Sequence, residues 1–192
     1  SSYLRSSLLN GSEGSVVNSK DADILSYIKK LKPTKIIINP PYENNSSIAF
    51  IKQELNYLEP NGKLVIIVPN PTLTQNQGKM TDEILQMARL DFVIKMPANL
   101  FSEQKRTVNT SILGFTKTPH LKDDEVVFYH LDDDGFVSIQ NKGRLDKNNK
   151  WREIEKGILD AVMNSKEVLD VCSKKRIFKD EQLNCAGFQH GV

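Results

Sequence analysis

Three consecutive β-branched residues, Ile36-Ile37-Ile38, stop abruptly at Asn39-Pro40-Pro41, and this junction constrains the fold more than any other feature of the sequence. β-Branched side chains crowd a helix and suit a strand. With no polar residue at either alternate position, such a strand has no face to offer water. The sheet holding it is expected to be parallel and covered on both sides. The pattern recurs as Leu64-Val65-Ile66-Ile67-Val68, ended by Pro69. Parallel neighbours require a crossover. Residues 46–58 supply one: Ile48, Ile51, Leu55 and Leu58 recur at helical spacing, Ser46 is the expected N-cap, and Pro60-Asn61-Gly62 is the stop.

The alternation continues downstream. Residues 80–89 read as a second helix, 91–96 as a third strand, 97–108 as a long loop, and 110–116 and 125–130 as two more strands. Strand, helix, strand, helix, strand predicts an α/β fold with a doubly wound, mostly parallel sheet. Asp132-Asp133-Asp134-Gly135 is an acidic turn and residues 141–150 a polar surface loop. Residues 151–163 form a helix with Ile154, Ile158, Ala161 and Val162 on one face, weakened slightly by Gly157. Ahead of the first strand, residues 1–14 are Ser- and Gly-rich without a period, Val16-Val17 is a brief strand, and residues 23–31 give one or two helical turns before Pro33. Beyond Ser165 the signals are mixed, and there is no internal repeat.

A chain of 192 residues can bury one sizeable core. Its longest apolar run, residues 64–68, is far too short for a bilayer span, and no charged-then-apolar segment opens the chain, so it reads as cytoplasmic with no membrane partner. The 26 basic and 24 acidic residues leave a net charge of +2, which neither demands nor excludes nucleic acid. A protein gripping DNA unaided would show a clearer basic excess, so other parts would supply much of the hold. Cys172, Cys185, His120, His130 and His190 fall at no metal-ligand spacing; no metal and two reduced thiols are expected.

Asn39-Pro40-Pro41-Tyr42 carries the chemistry. In open parallel sheets ligands bind beyond the carboxyl ends of the strands, and the tetrapeptide sits directly after one. An exocyclic amine conjugated to a ring or amide is a poor nucleophile because its lone pair is delocalised. Asn39 offers a side-chain carbonyl, and Pro40 a backbone carbonyl with no N–H. Two acceptors gripping both N–H bonds favour a more tetrahedral nitrogen and free its lone pair for in-line attack on a methyl sulfonium. The prolines hold the acceptors rigid. Tyr42 offers an aromatic face to a planar base, worth about 1–3 kcal/mol. Taken alone the tetrapeptide is also a plausible stiff turn; the apolar strand before it and the strand that follows favour the site.

These residues resemble motif IV of the amino-methyltransferases. Leu58-Glu59-Pro60-Asn61-Gly62-Lys63-Leu64-Val65-Ile66-Ile67-Val68-Pro69 is similar to the helix-turn-strand of type I restriction modification subunits. So are Val93-Ile94-Lys95-Met96-Pro97-Ala98-Asn99-Leu100-Phe101, then Asn109-Thr110-Ser111-Ile112-Leu113-Gly114-Phe115 with Lys117, and finally Asp134-Gly135-Phe136 and Gly143-Arg144. The resemblance spans residues 16–150. It implies a class I methyltransferase fold and methyl transfer from S-adenosylmethionine to N6 of an adenine flipped out of duplex DNA. It also implies a specificity subunit as partner, with a motor/nuclease subunit for restriction. By the same resemblance Asn39, Pro40, Pro41 and Tyr42 are catalytic, and Asp21 matches the acidic motif III residue that approaches the cofactor, with Asn39 beside it.

Tyr42, Phe101, Lys105 and Arg106 are the candidate DNA contacts. Against these stand plainer roles: Asp21 as a solvated turn residue, Phe101 as core, Lys105 and Arg106 as solvated charges. Lys174-Lys175-Arg176 reads as a solvated face and Trp151 as a helix anchor. Protein glutamine and RNA amino-methylases share similar motifs, but residues 97–101 and the acidic turn argue against them. A non-catalytic assembly module is the third reading.

The sequence departs from the family upstream. Gly11-Ser12-Glu13-Gly14 follows no apolar strand, so it is not the Gly-rich cofactor turn. The expectation is therefore a sheet incomplete at its N-terminal side, in a fragment. Residues 1–150 would be a partial catalytic domain and 151–192 a helical C-terminal extension. Alone, such a chain would bind cofactor more weakly than about 1 mM, and its open strand edge would favour self-association.

Overall fold

The computed structural model describes residues 28, 30–40, 47–70, 78–98, 100, 108–139, 142–168 and 171–177. The chain divides into two compact units, Ser1–Pro33 and Thr34–Val192. Of the first, Ile28, Lys30 and Leu31 are helical, and Lys32, at φ 46°, leaves the helical region ahead of Pro33. The strand expected at Val16-Val17 lies outside the described residues.

In the second unit the two apolar runs become neighbouring strands. Lys35–Ile38 (β1) and Lys63–Pro69 (β2) pair in parallel, Ile36 opposite Leu64 and Ile38 opposite Ile66. The crossover between them is the helix Ser47–Tyr57 (α1). Gly78–Met87 (α2) leads to Arg89–Lys95 (β3), which is followed by Thr110–Thr116 (β4) and Glu125–His130 (β5). Val137–Ile139 (β6) and Gly143–Leu145 (β7) form a separate two-stranded ribbon. Trp151–Asn164 (α3) and Cys172–Arg176 (β8) complete the described elements. The main sheet runs β1-β2-β4-β3-β5-β8. β1, β2, β3 and β5 share one direction, while β4 and β8 oppose it, so the sheet is mixed and mostly parallel.

Strand alternation sends Leu64, Ile66 and Val68 to one face, where they meet Ile48, Ile51 and Leu55 of α1 and Ile84 of α2. Each such buried side chain contributes about 1.5–3 kcal/mol, which makes this layer the main source of stability. Ile94, Val127, Tyr129 and Cys172 point to the other face and pack under Ala161, Ile158 and Val162 of α3. The first turn of α3 is capped from outside: the Asp146 carboxylate accepts from the N–H of Lys150 (2.8 Å) and of Trp151 (3.1 Å).

Four features depart from the sequence reading. β1 is not covered on both sides by described residues: Ile37 is 85% exposed, because α3 lies over β3 and β5 rather than over β1. β4 returns antiparallel between β2 and β3. β3 and β4 follow one another in the chain and pair directly, an arrangement that antiparallel strands allow without a crossover. Residues 143–145, expected in a polar loop, form β7; its pairing with β6 is backbone bonding with little apolar burial to announce it. β8 was hidden by its charges, which suit an edge strand. Lys174 pairs with Glu125 (3.6 Å) and Arg176 with Asp123 (3.8 Å), so the basic cluster is an ion-paired solvated face.

Candidate active site at the strand ends

Because β1, β2, β3 and β5 are parallel, their carboxyl ends and the start of antiparallel β4 share one edge of the sheet. Asn39 leaves β1 at this edge. It is exposed, whereas Pro40 behind it is buried. The end of β2 is held firmly. Asn70 donates its backbone N–H to the carbonyl of Asn109 (2.8 Å), and its side-chain oxygen accepts from the buried hydroxyl of Ser111 (2.7 Å). That bond sets the orientation of the Asn70 amide. Met96, at the end of β3, donates to the carbonyl of Thr110 (3.0 Å). Thr110 is fully buried, and its hydroxyl has no hydrogen-bond partner among the described residues. An orphaned hydroxyl at the mouth of a sheet is the kind of group that a ligand or water completes.

Of the residues singled out in the sequence, Asn39 and Pro40 stand at this edge. Pro41, Tyr42, Asp21, Phe101, Lys105 and Arg106 lie outside the described residues. Sequence reasoning passed over Asn70, Thr110 and Ser111 as site residues. Their signal was the polar triplet Asn109-Thr110-Ser111 entering an otherwise apolar strand.

Among the described residues, the titratable groups with clear shifts sit elsewhere. Burial pushes the Glu54 carboxyl up on α1, and the Tyr129 phenol and Cys172 thiol up beneath α3. Burial pushes the His120 imidazole down. His120 follows the far end of β4, where its N–H donates to the carbonyl of Leu85, at the opposite edge of the sheet from Asn39.

The described residues fit part of a cofactor site. Asn39 and the Thr110 hydroxyl offer polar contacts at the right edge. None of the described glycines forms a turn between a parallel strand's carboxyl end and a helix, so they supply no cradle for a cofactor's charged tail.

Comparison with known proteins gives first the class and then the family. The fold is shared with the type I restriction-modification methyltransferase subunit from Streptococcus thermophilus, at TM-score 0.58 and 19% identity over 74% of this chain. It is shared too with the EcoKI M protein of a type I restriction enzyme, at TM-score 0.52 and 20% identity over 75% of this chain. This is the class I methyltransferase architecture. The sequence matches the N-6 DNA methylase family over residues 22–182, and the chain belongs to that family. A curated relative is the type II restriction enzyme and methyltransferase RM.BcgI of Heyndrickxia coagulans, 31% identical over an alignment of 121 positions that covers 57% of this chain. The chain spans 19% of the length of RM.BcgI and 34% and 35% of the two structures. No helix among the described residues is long and apolar enough to cross a membrane.

Proposed function

We propose that this chain is part of the catalytic domain of an S-adenosylmethionine-dependent DNA adenine-N6 methyltransferase in a restriction-modification system. The observation that carries the reading is Asn39-Pro40 at the carboxyl end of β1, in a chain of the N-6 DNA methylase family. S-adenosylmethionine, when bound, supplies an electrophilic methyl group. Asn39 Oδ1 and the Pro40 carbonyl each accept one N–H of the exocyclic amine, so the nitrogen keeps its lone pair for the transfer. The buried Pro40 prevents the acceptors from relaxing, which is where the rate advantage arises. No enzyme nucleophile is needed. Cys172 is buried beneath α3 with its thiol pushed up by burial, and has no role in the chemistry.

The adenine reaches the acceptors by leaving the duplex, and Tyr42 stacks on it. Pro41 stiffens the turn, and Asp21 and Asn39 face the cofactor. Phe101 flanks the base, while Lys105 and Arg106 meet phosphates. A net charge of +2 provides little grip on DNA, so a specificity subunit or domain supplies the site reading, with a motor or nuclease partner where restriction follows. The reaction takes place in the cytoplasm.

Incubation of the complete gene product with tritiated S-adenosylmethionine and unmethylated duplex DNA tests this, followed by nucleoside analysis. The expected product is N6-methyladenine. Label on protein glutamine or RNA, with none in DNA, would contradict the proposal.

A further inference from the structure

Arg144 is not one of the strand-end residues, yet two segments of the chain, one at Leu100 and one at Asp134–Phe136, converge on its guanidinium. β3 remains tied to the sheet through Met96, after which Pro97 removes a backbone donor and the chain turns, Leu100 N–H donating to the Pro97 carbonyl (3.3 Å). Arg144 Nη1 donates to the carbonyl of Leu100 (3.4 Å). Its Nη2 donates to Asp134 Oδ1 (2.6 Å) and to the Phe136 carbonyl (3.2 Å). Asp134 Oδ1 also accepts the N–H of Phe136 (3.1 Å). The two charged side chains are 23% and 10% exposed, so the pair is largely withdrawn from water.

We infer that Arg144 is a positioning residue, which straps the turn at the end of β3, on the rim of the active site, to a ribbon anchored on α3. The anchor is rigid. Gly135 has φ +76°, and a Cβ there would lie 2.8 Å from Lys150 Cβ and 3.2 Å from Ile154 Cδ1, so the segment that leads into the ribbon sits directly on the start of α3. The Phe136 and Trp151 rings meet edge to face, with centroids 5.6 Å apart. Rigidity thus passes from the sheet through α3 and Trp151 to Phe136, and then through Arg144 to the Leu100 carbonyl. That carbonyl belongs to the peptide bond with Phe101, the residue the sequence reading puts beside the base. Withdrawing an ion pair from water is costly, and Val137 and Leu145 of the ribbon stay exposed, so core burial does not explain the device. A fixed fork of donors does, because it can hold a carbonyl and a carboxylate at once, which a lysine ammonium cannot do in the same plane.

The catalytic consequence rests on the function proposed above; the strap itself does not. The test compares the complete gene product with Arg144→Lys and with the neutral pair Arg144→Gln/Asp134→Asn, which leaves no orphaned buried charge. Amide exchange followed by mass spectrometry is expected to quicken about tenfold or more at Leu100, whose N–H bonds the Pro97 carbonyl, as loss of one charge-assisted hydrogen bond implies, with α1 unchanged. Unchanged exchange at Leu100 would overturn the strap. On unmethylated duplex DNA, kcat for methyl transfer is expected to fall about tenfold while KM for S-adenosylmethionine stays within about twofold. Quickened exchange with wild-type kcat would overturn the positioning role. If the wild-type protein labels no adenine, the proposed function fails, and the exchange measurement still decides the strap.

Discussion

Replacing Gly114 with alanine probes the centre of the sheet, where a single methyl group should reverse its usual effect. Gly114 lies on β4 directly between Val65 of β2 and Phe92 of β3. A Cβ there would stand 2.1 Å from Phe92 Cε1, 2.3 Å from Cζ and 2.7 Å from Cδ1, where ordinary contact begins near 3.4 Å. The ring therefore cannot stay. A groove of about 590 Å³, lined by Phe92, Gly114, Val65, Val162 and Met163, gives it somewhere to swing, at the expense of its present packing. Overpacking of this kind costs about 1–3 kcal/mol, against about 0.5–1 kcal/mol that alanine normally gains over glycine within a strand. A net loss of about 1–2 kcal/mol follows, and a Tm lower by roughly 2–8 °C for a domain of this size. Urea and thermal unfolding of wild type, Gly114→Ala, Phe92→Ala and the double variant decide the matter. With the ring gone, Gly114→Ala should become neutral or stabilising, a coupling of about 1 kcal/mol or more. An equal cost in both backgrounds would refute the reasoning.

Two further outcomes concern buried ionisable groups. His120 is held toward its neutral form by burial, its ring nitrogens without hydrogen-bond partners among the described residues. Its folded pKa lies below the ordinary 6.5, so the unfolded chain takes up the proton first; the advantage of wild type over His120→Gln should be constant above pH 7 and shrink from about pH 6.5 downward. A pH-independent difference in urea unfolding would contradict this. Glu54 is 9% exposed, and burial pushes its carboxyl above the usual 4.5, so ionisation weakens the fold as pH rises through the folded value. Glu54→Gln should therefore raise Tm at pH 7 and lose that gain near pH 4, and a variant that melts lower at pH 7 would show that the carboxylate has a stabilising partner.

The elements that packing alone dictates were legible from the residues. The runs at β1 and β2 and the Ile48, Ile51, Leu55 stripe of α1 carry their period in the side chains, and β4 and β5 fell at residues 110–116 and 125–130. What stayed hidden depends on pairing rather than pattern. Thr110–Thr116 reads as a strand whichever way it runs, and only its pairing with β2 and β3 shows that it is antiparallel. β7 and β8 are joined through backbone bonds and carry charged or exposed side chains, so no apolar period marks them. At the candidate site, the place of Asn39 and Pro40 directly after a strand was legible because the junction is local to one stretch of chain. Asn70 and Ser111, 41 residues apart, become partners only when β2 and β4 pair, and no spacing along the chain foretells that. Arg144 was visible only as part of a resemblance; its reach to Leu100 across 44 positions belongs to the fold.

The most direct test of the amine-gripping role is Asn39→Ala in the complete gene product, with two quantities measured on one preparation. One is the rate of N6-methyladenine formation in duplex DNA, and the other is the affinity for S-adenosylmethionine by calorimetry. Losing one of two preorganised acceptors that act on the reacting nitrogen should reduce transfer by at least about 10²–10³-fold. On the proposed role, in which Asn39 grips the amine and only borders the cofactor, cofactor affinity should stay nearly unchanged. Transfer at the wild-type rate, or a loss fully explained by weaker cofactor binding, would contradict the assignment of Asn39 as an acceptor for the target amine.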